Sequence, residues 1–238
     1  MKWHLDCVRA AESLANHTSF RIGGPAELFA EPSTVEELAD VVRMARRSHL
    51  PISVLGGGTN CLVADRGISG LVLHLGRAFR TVDRVSSDDS SARVRCGAAI
   101  LTQHLVLLAG RYGWGDVDVL AGLPGQVGGA VVMNAQNIGQ FVERVTMVSF
   151  DGELLQIPRE RLQFSYRYAA IDPGIISHVE FRFPQLAVEV AGERIRQVLR
   201  HRNETQDLQL PSAGCAFKNP AGTSAGRLID PINFSSER

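Results

Sequence analysis

The sequence predicts an α+β chain: a small α/β unit, a mainly antiparallel sheet with one helix, and a short third unit. Three observations carry that reading. Val35, Leu38, Val41, Val42 and Ala45 recur at helical spacing, whereas Val179, Phe181 and Phe183 alternate as a half-buried strand does. Runs at 142–150 and 153–157 flank Asp151-Gly152, the turn dipeptide of an antiparallel hairpin. Two glycine-rich stretches, 55–60 and 120–134, each follow an apolar run, where α/β units present loops to ligands.

At 238 residues the chain has room for one large domain or two to three small ones. Its 45% apolar and 21% charged content is that of a soluble globular protein. Lys+Arg and Asp+Glu each number 25, so no net field draws nucleic acid or an anionic membrane surface. No apolar run reaches the length of a membrane span, and residues 1–16 lack the apolar core of a signal peptide. Cys7, Cys61, Cys96 and Cys215 are far apart, and neither they nor the seven histidines make a metal-ligand spacing. No metal is expected, and the thiols are expected to be reduced, as in the cytoplasm.

In chain order, residues up to Asn16 read as a short helix or an extended arm, and Ala26–Glu31 as a strand. Ser33-Thr-Val-Glu36 has the form of a capping box ahead of a helix reaching about Ser48. Pro51–Leu55 reads as a buried strand, followed by two more apolar runs at Cys61–Ala64 and Leu71–Leu75. The polar stretch from Arg77 to Ser91 suggests a boundary. Beyond it come a strand around Val94 and Cys96, then a helix with Leu101, Leu105, Leu108 and Ala109 on one face and Gly113 at its end. The Asp151-Gly152 hairpin, the stretch Leu162–Tyr168 and the Val179–Phe183 strand complete this unit. After Pro184, Ile195, Val198, Leu199 and Arg202 share a helix face, and the basic run Arg194–Arg202 reads as solvated. Pro211–Pro220 reads as loop, strand and loop, and Ala225–Asp230 as a helix start. The expected domains are therefore 17–75, 76–184 and 185–238.

The stretch 120–134 holds Gly122, Gly125, Gly128 and Gly129 together with Pro124. Each glycine costs a helix interior roughly 1 kcal/mol against alanine, and Pro124 lacks the N–H a central strand needs. A tight loop running into a short helix near Val127 remains. Its glycines let main chain approach a bulky ligand, and the helix start offers free N–H groups to an anion. The other loop, 55–60, has neither the GxGxxG spacing nor a Walker lysine. The pair suits the two sides of one dinucleotide pyrophosphate.

Thr18–Pro25, Leu55–Asn60, Ala121–Asn134, Phe164–Tyr168 and Pro211–Pro220 occur in the order, and nearly the form, of the UDP-N-acetylenolpyruvoylglucosamine reductase family. The chain resembles that family from about residue 16 to 230. The resemblance implies an FAD-binding fold of vanillyl-alcohol-oxidase (PCMH) type. Two α/β subdomains would hold FAD, and a C-terminal substrate-binding subdomain would here be incomplete. It also implies NADPH as hydride donor, a UDP-sugar substrate, peptidoglycan precursor synthesis in the cytoplasm, and a monomer. From the first loop it assigns Leu55, Gly56, Gly57, Gly58, Thr59, Asn60 and Leu62 to the cofactor. From the second it assigns Leu120, Ala121, Gly122, Pro124, Gly125, Gly128, Gly129 and Ala130. Asn134, Tyr166, Lys218 and Asn219 take substrate-binding positions.

The implied chemistry adds a hydride to an enol-ether carbon and a proton to its neighbour. Charge develops beside a carboxylate, which a fixed cation stabilises. By position in the motif Arg167 is that cation, and a bidentate guanidinium suits a carboxylate. Cys215 stands where the family's typical motif has a serine after glycine. A thiol with a pKa of about 8.5 is mostly protonated at neutral pH and donates. Two departures stand out. Asn134-Ala-Gln-Asn-Ile-Gly139 replaces the usual Asn-Ala-Gly-Ala-Tyr-Gly, and no residue matches the family's C-terminal glutamate, a role Glu237 is not assigned. A shortened gene product is therefore expected. The alternative is an FAD-binding relative without reductase activity, and a carbohydrate oxidase on the same fold ranks last.

Overall fold

A computed structural model describes residues 5–206 and 216–229. The N-terminal arm is extended: β1 (Val8–Ser13) pairs antiparallel with β2 (Pro25–Ala30). Helix α1 (Val35–Arg47) buries Leu38, Val41, Val42 and Ala45 of the predicted face and Ala39 besides, while Val35 is half-buried. Its cap lies one residue later than expected. Thr34 is the N-cap, its hydroxyl accepting from the Glu37 N–H at 3.1 Å, while the Glu37 carboxylate accepts from the Ser33 N–H at 2.6 Å. The local chemistry tolerates either register; the burial of Leu38 decides between them.

Strands β3 (Ile52–Val54) and β4 (Ile68–Leu73) complete a sheet of order β1-β2-β4-β3, in which β2 and β3 run parallel to β4. The apolar run Cys61–Ala64 is not a strand. Its backbone packs on the N-terminal motif instead: Gly24 N–H donates to Ala64 O at 3.0 Å, and a Cβ at Gly24 would stand 1.9 Å from Asp65 O.

The second sheet contains β5 (Val82–Ser87), β6 (Ser91–Gly97), β7 (Val142–Ser149), β8 (Leu154–Pro158) and β11 (Gly174–Pro184). Its order is β5-β6-β11-β7-β8, antiparallel throughout. Strand β5 lies inside the polar stretch expected to be a boundary. It is an exposed edge strand, so nothing selects apolar residues along most of it. A separate two-stranded hairpin joins β9 (Gln163–Ser165) and β10 (Tyr168–Ala170).

The helices between these strands are α2 (Thr102–Tyr112), closed by Gly113 at φ 72°, and α3 (Val127–Val132). After the sheet come α4 (Val188–Thr205) and α5 (Ala225–Ile229). One cluster of buried side chains joins both sheets, taking in Val42, Leu73, Cys96, Leu105, Phe181 and Phe183. Each large apolar side chain buried in it is worth about 1.5–3 kcal/mol. Arg43 also ties α1 to the β7–β8 turn through Gly152 O at 3.0 Å. Helix α4 packs on α2, with Ile195 Cδ1 only 3.2 Å from where a Cβ at Gly110 would stand.

Candidate functional site

The first glycine loop leaves the C-terminal end of β3, and the second leads into α3. The fold brings them into contact. A Cβ at Gly57 would lie 3.2 Å from the Gly125 Cα, and one at Gly125 would lie 2.8 Å from Thr59 Oγ1. The Gln126 side chain reaches the same junction, its Oε1 3.2 Å from a Cβ placed on Gly56. The Thr18–Pro25 motif supports the first loop from behind, Ser19 N–H donating to Gly58 O at 3.1 Å. From below, His74 Nδ1–H donates to Leu55 O at 2.9 Å, which fixes the ring's tautomer. Burial holds His74 below the ordinary histidine pKa.

The second loop is anchored just as firmly. Thr102 N–H donates to Gly125 O at 3.0 Å, and its hydroxyl donates to Leu123 O at 2.5 Å, with Gly125 O a longer second acceptor at 3.3 Å. The expectation of free N–H groups at the start of α3 is corrected for two of them. Val127 and Gly128 donate to Ile100 O and Ala98 O, at 2.9 and 2.8 Å. The loop runs alongside the chain after β6, and backbone groups at such a buried junction pair with each other. Gly129 differs: a Cβ there would meet nothing within 4 Å. The surface at Gly129, with the abutting loops beside it, is an open cradle of main chain of the kind a pyrophosphate and flavin need. The residues present therefore fit FAD.

A hairpin packs near α3, the helix that carries Gly129. Tyr166 and Arg167 link β9 to β10, with Arg167 at φ 57° and its guanidinium carbon 5.9 Å from the Tyr166 ring centre. Asn134, which opens the departing loop at φ 40°, holds the hairpin in place. Its Nδ2 donates to Ser165 O and its Oδ1 accepts from Gly139 N–H, both at 2.9 Å. Phe164 closes over Gly139, where a Cβ would overlap the ring at 2.3 Å. The Tyr166 hydroxyl accepts from Asn219 N–H at 3.2 Å, so two motifs 53 residues apart meet at the turn. Asn219 Oδ1 in turn accepts from Ala225 N–H at 3.0 Å, at the start of α5.

Of the assigned cofactor residues, Gly56, Gly57, Thr59 and Gly125 sit at one junction. Leu55, Leu120 and Ala121 turn their side chains into the interior, and Leu62 is 71% exposed. Lys218 is exposed on the segment before α5, and Cys215 lies outside the described residues, as does the first half of the stretch Pro211–Pro220. The described thiols Cys7, Cys61 and Cys96 are free, and burial raises the pKa of each. Among the described residues no group of His, Cys, Asp or Glu could hold a metal ion, and no helix is long and apolar enough to cross a membrane.

Two residues of this neighbourhood escaped the sequence reading. Gln126 is a polar side chain inside an otherwise apolar and glycine-rich run, a signal that was available. Arg202 was hidden in a basic stretch read as solvated; its Nη1 donates to Ala121 O at 2.8 Å.

Paired glycine loops lie between a mixed and an antiparallel sheet, and residues 26–157 match the family model described as FAD binding domain, which makes this a flavin-dinucleotide-binding protein. A UDP-N-acetylenolpyruvoylglucosamine reductase of Geobacter metallireducens is 38% identical over 95% of this chain and 75% of its own length. That of Pelobacter propionicus is 37% identical over 96% and 77%. The crystal structure of the Thermus caldophilus reductase superimposes with a TM-score of 0.78 at 35% identity, covering 92% of this chain and 78% of that one. The 6-hydroxy-D-nicotine oxidase of Arthrobacter nicotinovorans shares the fold alone, with a TM-score of 0.51 and 22% identity over 75% of this chain and 42% of its own. The chain belongs to the UDP-N-acetylenolpyruvoylglucosamine reductase family and is an FAD-dependent oxidoreductase. It spans about three quarters of the length of these curated relatives.

Proposed function

We propose that the chain reduces the enolpyruvyl group of UDP-N-acetylglucosamine enolpyruvate to UDP-N-acetylmuramate, with NADPH as donor, in cytoplasmic peptidoglycan precursor synthesis. Identity of 38% with a reductase of that name supports the reaction class. The observation that carries the site is the bond from Asn219 N–H to the Tyr166 hydroxyl at 3.2 Å. It joins the segment after Cys215 to the turn that carries Arg167.

FAD, when bound, supplies a two-electron carrier between donor and substrate. The chain's own residues do the rest. The main chain at Gly57, Gly125 and Gly129 receives the cofactor. Arg167 holds the substrate carboxylate and stabilises charge that develops beside it. Cys215 delivers a proton to the carbon next to the site of hydride addition, a role open to a thiol because an unperturbed one is protonated at neutral pH. Lys218 and Asn219 bind phosphate and sugar groups, and Asn134 and Tyr166 keep the turn in register with them.

The test is NADPH oxidation by the purified chain with and without the enolpyruvyl UDP-sugar. Substrate-dependent oxidation is the expected result. Yellow protein that leaves NADPH untouched under both conditions would make the chain a flavin-binding relative, and oxygen uptake with a sugar alcohol would make it an oxidase.

A further inference from the structure

We propose that Arg202 is a positioning residue of the flavin site, fastening the second glycine loop to α4 so that a main-chain donor faces the cofactor. The inference rests on the flavin reading above. Arg202 Nη1 donates to the Ala121 carbonyl at 2.8 Å, a charge-assisted bond of the stronger kind. In a trans peptide the following N–H points the opposite way from the carbonyl. Anchoring Ala121 O toward α4 therefore aims the Gly122 N–H away from that helix, and nothing among the described residues accepts it. Gly122 is built for this arrangement. It adopts φ +74°, and a Cβ there would stand 3.0 Å from Arg202 Cδ, 3.1 Å from Nη1 and 3.5 Å from Leu199 Cδ2.

The neighbouring arginines of α4 show that this contact is specific. Arg196 and Arg200 pair with Glu193 on their own helix, at 2.9 and 2.8 Å. Arg194 reaches Asp116 at 3.2 Å, just before the 3-10 turn Val117–Leu120 that feeds the loop. Arg194 and Arg202 thus hold the two ends of one short turn, and the second also holds the loop itself. The chain after α4 goes on to Asn219, which meets Tyr166. Arg202 therefore ties the loop proposed to hold the cofactor to the helix that leads into the segment proposed to hold the substrate.

The test titrates flavin-free full-length chain with FAD, following the flavin spectrum and fluorescence, for the natural sequence, Arg202→Lys and Arg202→Ala. The removal of one charge-assisted bond predicts that R202A binds FAD on the order of tenfold more weakly. R202K, or guanidinium ion added to R202A below denaturing concentration, is expected to restore part of that loss. An R202A chain with unchanged FAD affinity overturns the inference and leaves the flavin reading intact. So does a loss that neither lysine nor guanidinium recovers, because that is the behaviour of a side chain needed only for folding. Failure of the natural sequence to bind FAD overturns the flavin reading and this inference with it.

Discussion

Gly125 shows how much a single residue decides here. Its φ is +108°, and a Cβ would press to 2.8 Å from Thr59 Oγ1, so both conformation and space exclude a side chain. Gly125→Ala is expected to weaken FAD binding by at least about tenfold, read by flavin titration. Wild-type affinity in that variant would mean the loops do not form the cradle. Asn134 is the opposite case, a side chain whose role in the described structure is architectural. Asn134→Ala removes two bonds at a residue only 6% exposed and is expected to lower stability by roughly 2 kcal/mol in urea denaturation. Arg167→Lys keeps the charge but loses the planar fork. We predict a fall in kcat on the order of a hundredfold with a smaller change in KM; a change confined to KM would reassign Arg167 to ground-state binding.

At the scale of elements, the decisive features are caps and hairpin turns. Helix α1 starts where the Thr34 hydroxyl meets Glu37 N–H. Thr34→Ala is predicted to cost about 1 kcal/mol of stability, whereas Ser33→Ala should cost less, since its backbone N–H is the group in use. Equal losses in thermal or urea unfolding would restore the cap to the position first read from the sequence. The β7–β8 hairpin was legible because Asp151-Gly152 signals its turn locally, and α1, α2 and α4 because their apolar periods are long. Strand β5 was not legible, because an edge strand with mostly exposed residues has no alternation to read. The run Cys61–Ala64 misled in the other direction: its apolar residues answer to Gly23 and Gly24, far away in sequence.

For the whole molecule, the shared core between the sheets makes acid sensitivity a collective property. His178 on β11 is buried, and desolvation, helped by the Arg95 guanidinium, pulls its pKa down to about 4. An unfolded histidine titrates near 6.5. The unfolded chain therefore binds the extra proton first as pH falls. The stability associated with neutral His178 is complete above about pH 6.5 and is lost as pH drops from there through about 4, roughly 3 kcal/mol in all. His74 shifts in the same direction and adds to the slope. Tm measured across that window should fall, and His178→Gln should flatten the curve. An unchanged slope in that variant would locate the acid sensitivity elsewhere.

The sequence by itself determined the identity of the loops. Glycine and proline act through their own backbone, so 55–60 and 120–134 declared themselves without any partner. Five motifs in fixed order determined the family, since residue types and their spacing are read along the chain without any contact. Tertiary structure decided what those motifs are for one another: that Gly57 lies against Gly125, that Asn219 meets Tyr166, and that Arg202 leaves its basic neighbours to hold Ala121. Contacts between residues so distant in sequence depend on how two sheets share one core, and no local pattern of side chains encodes that.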